Sequence, residues 1–264
     1  MGRVGPGHML FGRMRPAQKP PSLAITLRFM RVVKLLSVLA ALLVGGAIAY
    51  EAYERYERDA VAEARRTLPG RLARSELRLG QPVYLRIFKQ ESVLELWMQN
   101  DKGWRLFQSY PICRFSGALG PKLKTGDRQA PEGFYQVAAG QLNPNSRHHL
   151  SFNLGFPNDF DRAHGRTGSF LMVHGGCSSV GCYAMTDPAV DDIYRLVAAA
   201  LGNGQASIEV HAFPFRMTPA NMTSHASSRW IDFWNDLKPA YDRFEKERQI
   251  PAVDLVDRRY VVKG

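Results

Sequence analysis

The segment His174-Gly175-Gly176-Cys177-Ser178-Ser179-Val180-Gly181-Cys182 concentrates more reactive chemistry than any other stretch of the 264 residues. A histidine closes an apolar run, a glycine- and serine-rich turn follows, and a cysteine opens the next run. A free thiol has a pKa of about 8.5 and is a weak nucleophile at neutral pH. A neighbouring imidazole can stabilise its thiolate as an ion pair or take its proton. The chemistry expected is attack on a carbonyl, with Cys182 as nucleophile and His174 as base. Gly181 lets the backbone amides beside Cys182 turn toward an oxyanion, and the Ser179 hydroxyl is a further donor. Buried cysteines are common as small apolar residues, and a strand-end histidine is often only hydrogen-bonded. Their coincidence in one glycine-rich turn is what favours catalysis. Metal binding is the alternative use, but His174, Cys177 and Cys182 give three ligands at irregular spacing where structural zinc takes four. No metal and no cofactor are expected.

The elements that must position these residues follow from patterning. Phe170 to His174 reads as a buried strand and Cys182 to Met185 as a second, so the end of one strand is brought beside the start of the next. Upstream, Pro82 to Lys89, Val93 to Met98 and Trp104 to Cys113 alternate as strands, with a turn at 100–103, and form a β-meander. Ser116 to Glu132 is a polar connection, Phe134 to Ala138 a short strand, Asn143 to His149 a polar loop, Leu150 to Leu154 a strand, and Gly155 to Gly168 a second loop. Asp187-Pro188 starts a helix, with aspartate as N-cap, that Gly202 and Gly204 stop. Ser207 to Phe213 is a strand. From Thr218 onward Trp230, Phe233, Trp234, Leu237, Tyr241 and Phe244 form a helical apolar stripe, with Pro239 kinking or splitting the helix.

Charge and hydropathy locate the chain. The net charge is +11, but Arg3, Arg13, Arg15, Lys19, Arg28, Arg31 and Lys34 stand in the first 34 residues without an acid, and removing those seven leaves +4. Such a cluster ahead of a hydrophobic run is the signature of a targeting or anchoring segment rather than of nucleic-acid binding. The run at 35–50 is shorter than the roughly 20 residues of a full span. Ala47-Ile48-Ala49 fits a cleavage site, so a signal peptide is expected, with an uncleaved anchor the alternative. Residues 30–49, beginning at Met30, have the form of a complete signal peptide, which makes Met30 a candidate start. Tyr50 to Arg74 reads as a helical stalk broken at Pro69-Gly70. An exported chain with three cysteines leaves one thiol free or paired between chains. A free thiol is a hazard in an oxidising compartment unless it does chemistry.

His174-Gly175 followed by Ser179-Val180-Gly181-Cys182 resembles the HG…SxGC signature of the L,D-transpeptidase (YkuD-type) catalytic-domain family. The wider text resembles its YafK-like branch, at Gly126-Asp127-Arg128-Gln129, Pro131-Glu132-Gly133-Phe134-Tyr135, Asn143-Pro144-Asn145-Ser146-Arg147, Gly165-Arg166-Thr167-Gly168 and Cys182-Tyr183-Ala184-Met185-Thr186-Asp187. The resemblance implies a mainly β fold with flanking helices, an L,D-transpeptidase-type β-sandwich of mixed sheets. An N-terminal signal or anchor helix and a C-terminal helical extension complete it. It implies a Cys182 nucleophile, a His174 base, and a Gly175 whose backbone orients the histidine. The implied substrates are peptidoglycan stem peptides containing diaminopimelate, and, in an amidase of this branch, a lipoprotein attached to them. Two positions depart from the common pattern: Val180 stands where many members have histidine, and Ala184 where many have arginine.

The expected organisation is a basic segment at 1–34, a signal or anchor at 35–50, a stalk at 51–76, a catalytic domain at 77–216 and a helical extension at 217–264. The expected location is the periplasm, free or held to the inner membrane. Arg147, Arg162 and Arg166 are candidates to pair with substrate carboxylates; surface arginines are the plainer reading. His148, His149 and His164 are weaker candidates for the base. A Cys113–Cys177 disulfide would leave Cys182 free. The other function classes are a non-catalytic peptidoglycan-binding envelope protein and a zinc-binding envelope protein.

Overall fold

The computed structural model describes residues 23–263, so most of the basic N-terminal segment lies outside the described residues. The chain divides into two compact units, residues 1–62 and 63–264. The described residues of the first form the greater part of one helix, α1 (Leu23–Arg66). Within it Arg28–Asp59 is apolar, unburied and 32 residues long, about 48 Å at 1.5 Å per residue, more than the roughly 30 Å of a bilayer core. The apolar run and most of the expected stalk are thus one helix, continuous through Ala47-Ile48-Ala49. By length and composition it suits a membrane anchor or a signal sequence equally.

In the second unit, α2 (Leu68–Arg74) begins at an N-cap, Thr67, whose hydroxyl accepts from Gly70 N at 3.3 Å. The break in the stalk therefore falls at Thr67. Pro69 sits inside the first turn, where its missing N–H costs nothing. Strands β1 (Val83–Phe88), β2 (Val93–Asn100) and β3 (Gly103–Pro111) form the expected meander. β5 (Gly133–Val137) and β10 (Ile208–Phe213) complete a sheet of order β3-β2-β1-β10-β5, with β1 and β10 parallel. The second sheet has the order β4-β9-β8-β7-β6, built from β4 (Arg114–Phe115), β6 (Leu142–Ser146), β7 (His149–Asn153), β8 (Met172–His174) and β9 (Tyr183–Ala184). Here β8 and β9 are parallel.

Both faces of β1 are buried, because two cores sandwich the first sheet. One core joins Leu85, Ile87 and Leu96 to Phe152 and Val173 of the second sheet and to Val190 and Ile193 of α4 (Asp187–Gly202). The other joins Phe88 and Phe213 to Trp234, Leu237 and Tyr241 of α6 (Ile231–Glu247). Pro239 lies within α6 without splitting it. Burying Trp234, Leu237 and Phe244 contributes roughly 1.5–3 kcal/mol each, together more than the ~3 kcal/mol an interior proline costs.

Four sequence expectations need correction. The 143–149 loop contains β6, an edge strand whose Pro144 and asparagines hide its pattern; edges tolerate both. The 155–168 loop contains α3 (Asp159–Ala163), capped by Asn158. The N-cap of α4 is Thr186, whose hydroxyl accepts from Ala189 N; Asp187 is the first helical residue. The C-terminal extension is not wholly helical. After α5 (Pro219–Ser224) and α6 it ends in a hairpin, β11 (Val253–Val256) and β12 (Arg259–Val262). Its turn residues Asp257 and Arg258 both have positive φ, +47° and +65°. A two-residue hairpin wants that conformation, but no glycine announces it.

Candidate active site

His174 is the last residue of β8, and Cys182 immediately precedes β9. The parallel register pairs His174 with Ala184. Side chains alternate along a strand, so Cys182 faces the same side as Ala184 and hence as His174. The thiol lies level with Met172, about 7 Å before His174 along the strand direction. Met172 N–H donates to Cys182 Sγ at 3.4 Å, and the thiol approaches Phe170 O at 3.7 Å. His174 Nδ1 lies 2.6 Å from Gly175 O. A carbonyl only accepts, so Nδ1 carries the proton and Nε2 keeps a lone pair.

Electrostatics favour a neutral pair. Burial pushes the Cys182 thiol up, offset in part by the Met172 amide and the charge of Lys122. Burial lowers His174, with its Gly175 hydrogen bond pulling up and His148 pushing down. Both shifts favour thiol and imidazole over an ion pair, and attack by such a thiol requires its proton to be removed.

The turn is tied at several points. Cys113 and Cys177 form a disulfide with Cα atoms 5.2 Å apart, joining the turn to the corner before β4. Cys182 is left as the free cysteine. The bond takes Cys177 out of the expected His174, Cys177 and Cys182 ligand set. Asp187 Oδ1 accepts from Gly176 N at 2.8 Å, and Gly175 N donates to His148 O at 3.0 Å. A Cβ on Gly175 would come within 2.6 Å of Asp187 Oδ1, which is why glycine stands there. Gly181 adopts φ +97°, a second glycine requirement.

The amides expected to face an oxyanion are engaged. Cys182 N donates to Ser179 Oγ at 3.0 Å, and Ser179 in turn donates to Cys182 O at 2.6 Å. Gly181 N donates to the Ser116 hydroxyl. Ser179 thus braces the backbone of Cys182, and its hydroxyl is not a free donor.

The chain is 51% identical over 184 residues to the protein named "Putative L,D-transpeptidase YafK" of Escherichia coli K12; the match covers 70% of this chain and 75% of that protein. The same figures hold for its counterpart in Escherichia coli O157:H7. The chain belongs to the YafK family of L,D-transpeptidase-like proteins. No protein-family model matches it. Among solved structures, the likeness to the helical cell shape determining protein Pgp2 (K307A mutant) of Campylobacter jejuni is loose, with 17% identity, TM-score 0.41, and 66% and 62% of the two chains covered. That to Bdellovibrio bacteriovorus Bd1075 is looser, with 18% identity, TM-score 0.35 and 52% of each chain.

Not every expected residue of this family member gathers at the thiol. Arg166 is buried against Asp161 at 2.7 Å, its guanidinium 4.9 Å from the Phe160 and Phe233 ring centroids. It anchors α3 and has no open face for substrate. Arg162 is paired with Asp159 and lines a cavity of about 470 Å³ between α3 and the C-terminal hairpin, a cavity whose lining includes neither Cys182 nor His174. Arg147 is exposed in the β6–β7 turn, one residue before His148. The His148 ring packs on His174, centroids 4.7 Å apart. His149 pairs with Asp191, and His164 stacks on Phe160.

Three residues had no clear sequence signal. Ser151 lies directly opposite His174 in the β7–β8 register, and its buried hydroxyl has no hydrogen-bond partner. Phe170 is 70% exposed at the rim of the thiol. Lys122 is only 4% exposed, and its charge reaches Cys182. A lysine inside a polar, glycine-containing connection reads as solvated; only the Gly126-Asp127 turn hinted at an ordered loop.

Proposed function

We propose that this chain is a peptidoglycan-modifying cysteine enzyme of the cell envelope. It cleaves amide bonds linked to diaminopimelate through a Cys182 thioester, as an L,D-transpeptidase or a murein-lipoprotein amidase. The observation that carries the reading is the single free thiol set on the same face as a strand-end imidazole with an unprotonated Nε2. Attack by Cys182 Sγ on the carbonyl carbon, as His174 Nε2 takes the thiol proton, forms the C–S bond. Collapse breaks the C–N bond, and His174 returns the proton to the leaving amine. Water resolves the thioester to a carboxylic acid in an amidase; a second peptide amine resolves it to a new amide in a transpeptidase. Met172 N–H, directed at the sulfur, favours the thiolate as the proton leaves.

The proposed partners are peptidoglycan stem peptides and a lipoprotein joined to them. The catalytic domain is assigned to 77–216, with α1 as the signal or the tether to the inner membrane and the periplasm as the site of action. The test is mass spectrometry of products from purified peptidoglycan, part of it carrying covalently bound lipoprotein, with Cys182→Ala as control. Lipoprotein released with a peptide remnant establishes the amidase; new cross-links or exchanged terminal residues establish the transpeptidase. Absence of any Cys182-dependent product from folded protein would leave a peptidoglycan-binding scaffold.

A further inference from the structure

The cavity of about 470 Å³ between α3 and the C-terminal hairpin falls in the roughly 300–1,000 Å³ range of small-ligand sites, and the thiol is not among its walls. Its floor is one margin of the first sheet. β10 pairs with β5 so that Glu209 stands opposite Gln136 and His211 opposite Phe134. Residues two apart on a strand share a face, and all four line the cavity. The hairpin contributes Asp254 and Tyr260, and α3 contributes Arg162. Gln136 and Arg162 are exposed, so the cavity opens to solvent.

The hydrogen bonding of this floor is incomplete. The Tyr84 hydroxyl is fully buried, and burial pushes its pKa far up, so it keeps its proton. Its partner is His211 Nδ1 at 2.7 Å. The hydroxyl therefore donates, Nδ1 accepts, and the proton of the neutral ring is on Nε2. Among the described residues no group accepts from that N–H. Glu209 Oε2 stands 3.9 Å from it, beyond hydrogen-bond reach. His211 is buried in the core, where an N–H without an acceptor is costly. Glu209 is incomplete as well. Its Oε1 accepts from Gln136 Nε2 at 2.7 Å, and among the described residues no lysine or arginine pairs with it. The other charged side chains of the lining are already paired, Arg162 with Asp159 and Asp254 with Lys263.

A ligand that completes both groups at one atom must accept from Nε2–H and donate to the carboxylate. An ammonium cannot accept, and a carboxylate cannot donate and would meet Glu209 as a like charge. A hydroxyl does both. Water does both too, but one water takes up about 30 Å³, a small part of this cavity. The rest of the lining sets amides, Gln136 and Asn158, beside rings, Phe134 and Tyr260. That mixture suits a ligand with hydroxyls at its edge and C–H groups on its faces. We propose that this cavity binds a saccharide, one hydroxyl of which bridges His211 Nε2–H and Glu209 Oε2. That the saccharide is the glycan of peptidoglycan rests on the function proposed above; the recognition chemistry does not.

Isothermal titration calorimetry of the full chain tests this, in micelles of a polyoxyethylene detergent, whose headgroup carries no sugar. The probes are chitotetraose, a neutral N-acetylated sugar oligomer; peptide-free glycan strands cut from peptidoglycan; and cadaverine, a dication. The wild type is expected to bind chitotetraose. Glu209→Ala should weaken that binding at least about tenfold, the loss of a hydrogen bond to a charged group. Glu209→Gln keeps an acceptor and should stay within about threefold. Cys182→Ala should bind the sugar as the wild type does. Melting curves check that each variant is folded. If Glu209→Ala is not, hydrogen exchange of the wild type decides: the sugar should slow exchange at 253–262 and leave 174–182 unchanged. Tighter binding of strands than of chitotetraose would give the wall glycan as the source, and equal binding a free saccharide. Cadaverine bound in place of sugar, and lost in Glu209→Gln, would overturn the proposal in favour of a cation site. Binding of no probe would overturn it too, leaving a water-filled cavity. Wild type that binds the sugar yet gives no Cys182-dependent product would count against the proposed function alone.

Discussion

His174 and His211 are both strand histidines with almost no exposed surface, 4% and 1% respectively. Burial depresses the basicity of both. They differ in their surroundings. His211 lies in the middle of β10, where both faces are covered. Tyr84 OH sits 2.7 Å from its Nδ1, the rings of Tyr84, Phe134 and Phe213 enclose it, and the nearby Arg86 charge adds to burial in holding it at about 3. It is a neutral core residue with no nucleophile to serve. His174 ends its strand at Gly175, with the thiol of the next parallel strand on its face and His148 above it. Burial tunes a histidine, but only the end of a strand gives it a partner and a path for substrate.

That contrast can be broken most directly by substitution. His174→Asn should lower Cys182-dependent turnover by about 10²–10⁴-fold, the range for loss of a general base, with little change in melting temperature. His211→Phe should do the reverse, keeping turnover per folded molecule. It should cost about 1–3 kcal/mol in denaturant unfolding, because the Tyr84 hydroxyl loses its buried partner. Equal loss of activity from both would erase the distinction.

The turn that sets His174 apart can be loosened next. Cys113 and Cys177 are 64 residues apart in sequence, so by the chain-entropy argument Cys113→Ser with Cys177→Ser should cost up to ~4 kcal/mol. Urea unfolding measures it. A negligible change would mean that Asp187 and the sheet alone hold the turn.

pH sharpens the comparison further. His174 must be neutral to accept a proton, and its folded pKa is lowered, so kcat/KM should persist below the ordinary histidine value of about 6.5 before falling. His148→Ala uncovers His174 and removes a neighbouring positive charge, so this acid limb should move to higher pH. For His211 the sign concerns stability. Below about pH 6.5 the unfolded chain binds a proton that the folded one refuses until about pH 3, so stability falls with pH across that window. His211→Phe should flatten that slope, measured as melting temperature against pH.

The smallest effect expected is from Ser151→Ala. Its hydroxyl has no partner, so removal should change stability by less than about 1 kcal/mol. A turnover loss above tenfold would show that the hydroxyl steers the imidazole.

The sequence by itself marked out the candidate nucleophile, the candidate base and the glycine between them, because a turn of nine residues is local and its chemistry is written in residue types. The meander, the start of α4 near Asp187 and the apolar stripe of α6 were legible for the same reason: period and caps are local signals. Only the tertiary structure decided which cations are buried and with which partner. Arg166 and Lys122 look alike as cations in polar loops, yet Phe160 and Asp161 draw one into the packing of α3. A clamp of loops 44 residues apart in sequence draws the other into a buried pair with Asp127. The amides of Gly181 and Cys182 likewise looked open until Ser116, distant in sequence, and Ser179 were seen to occupy them. Burial and partnership across the chain are sums over non-local neighbours, and residue spacing does not encode them.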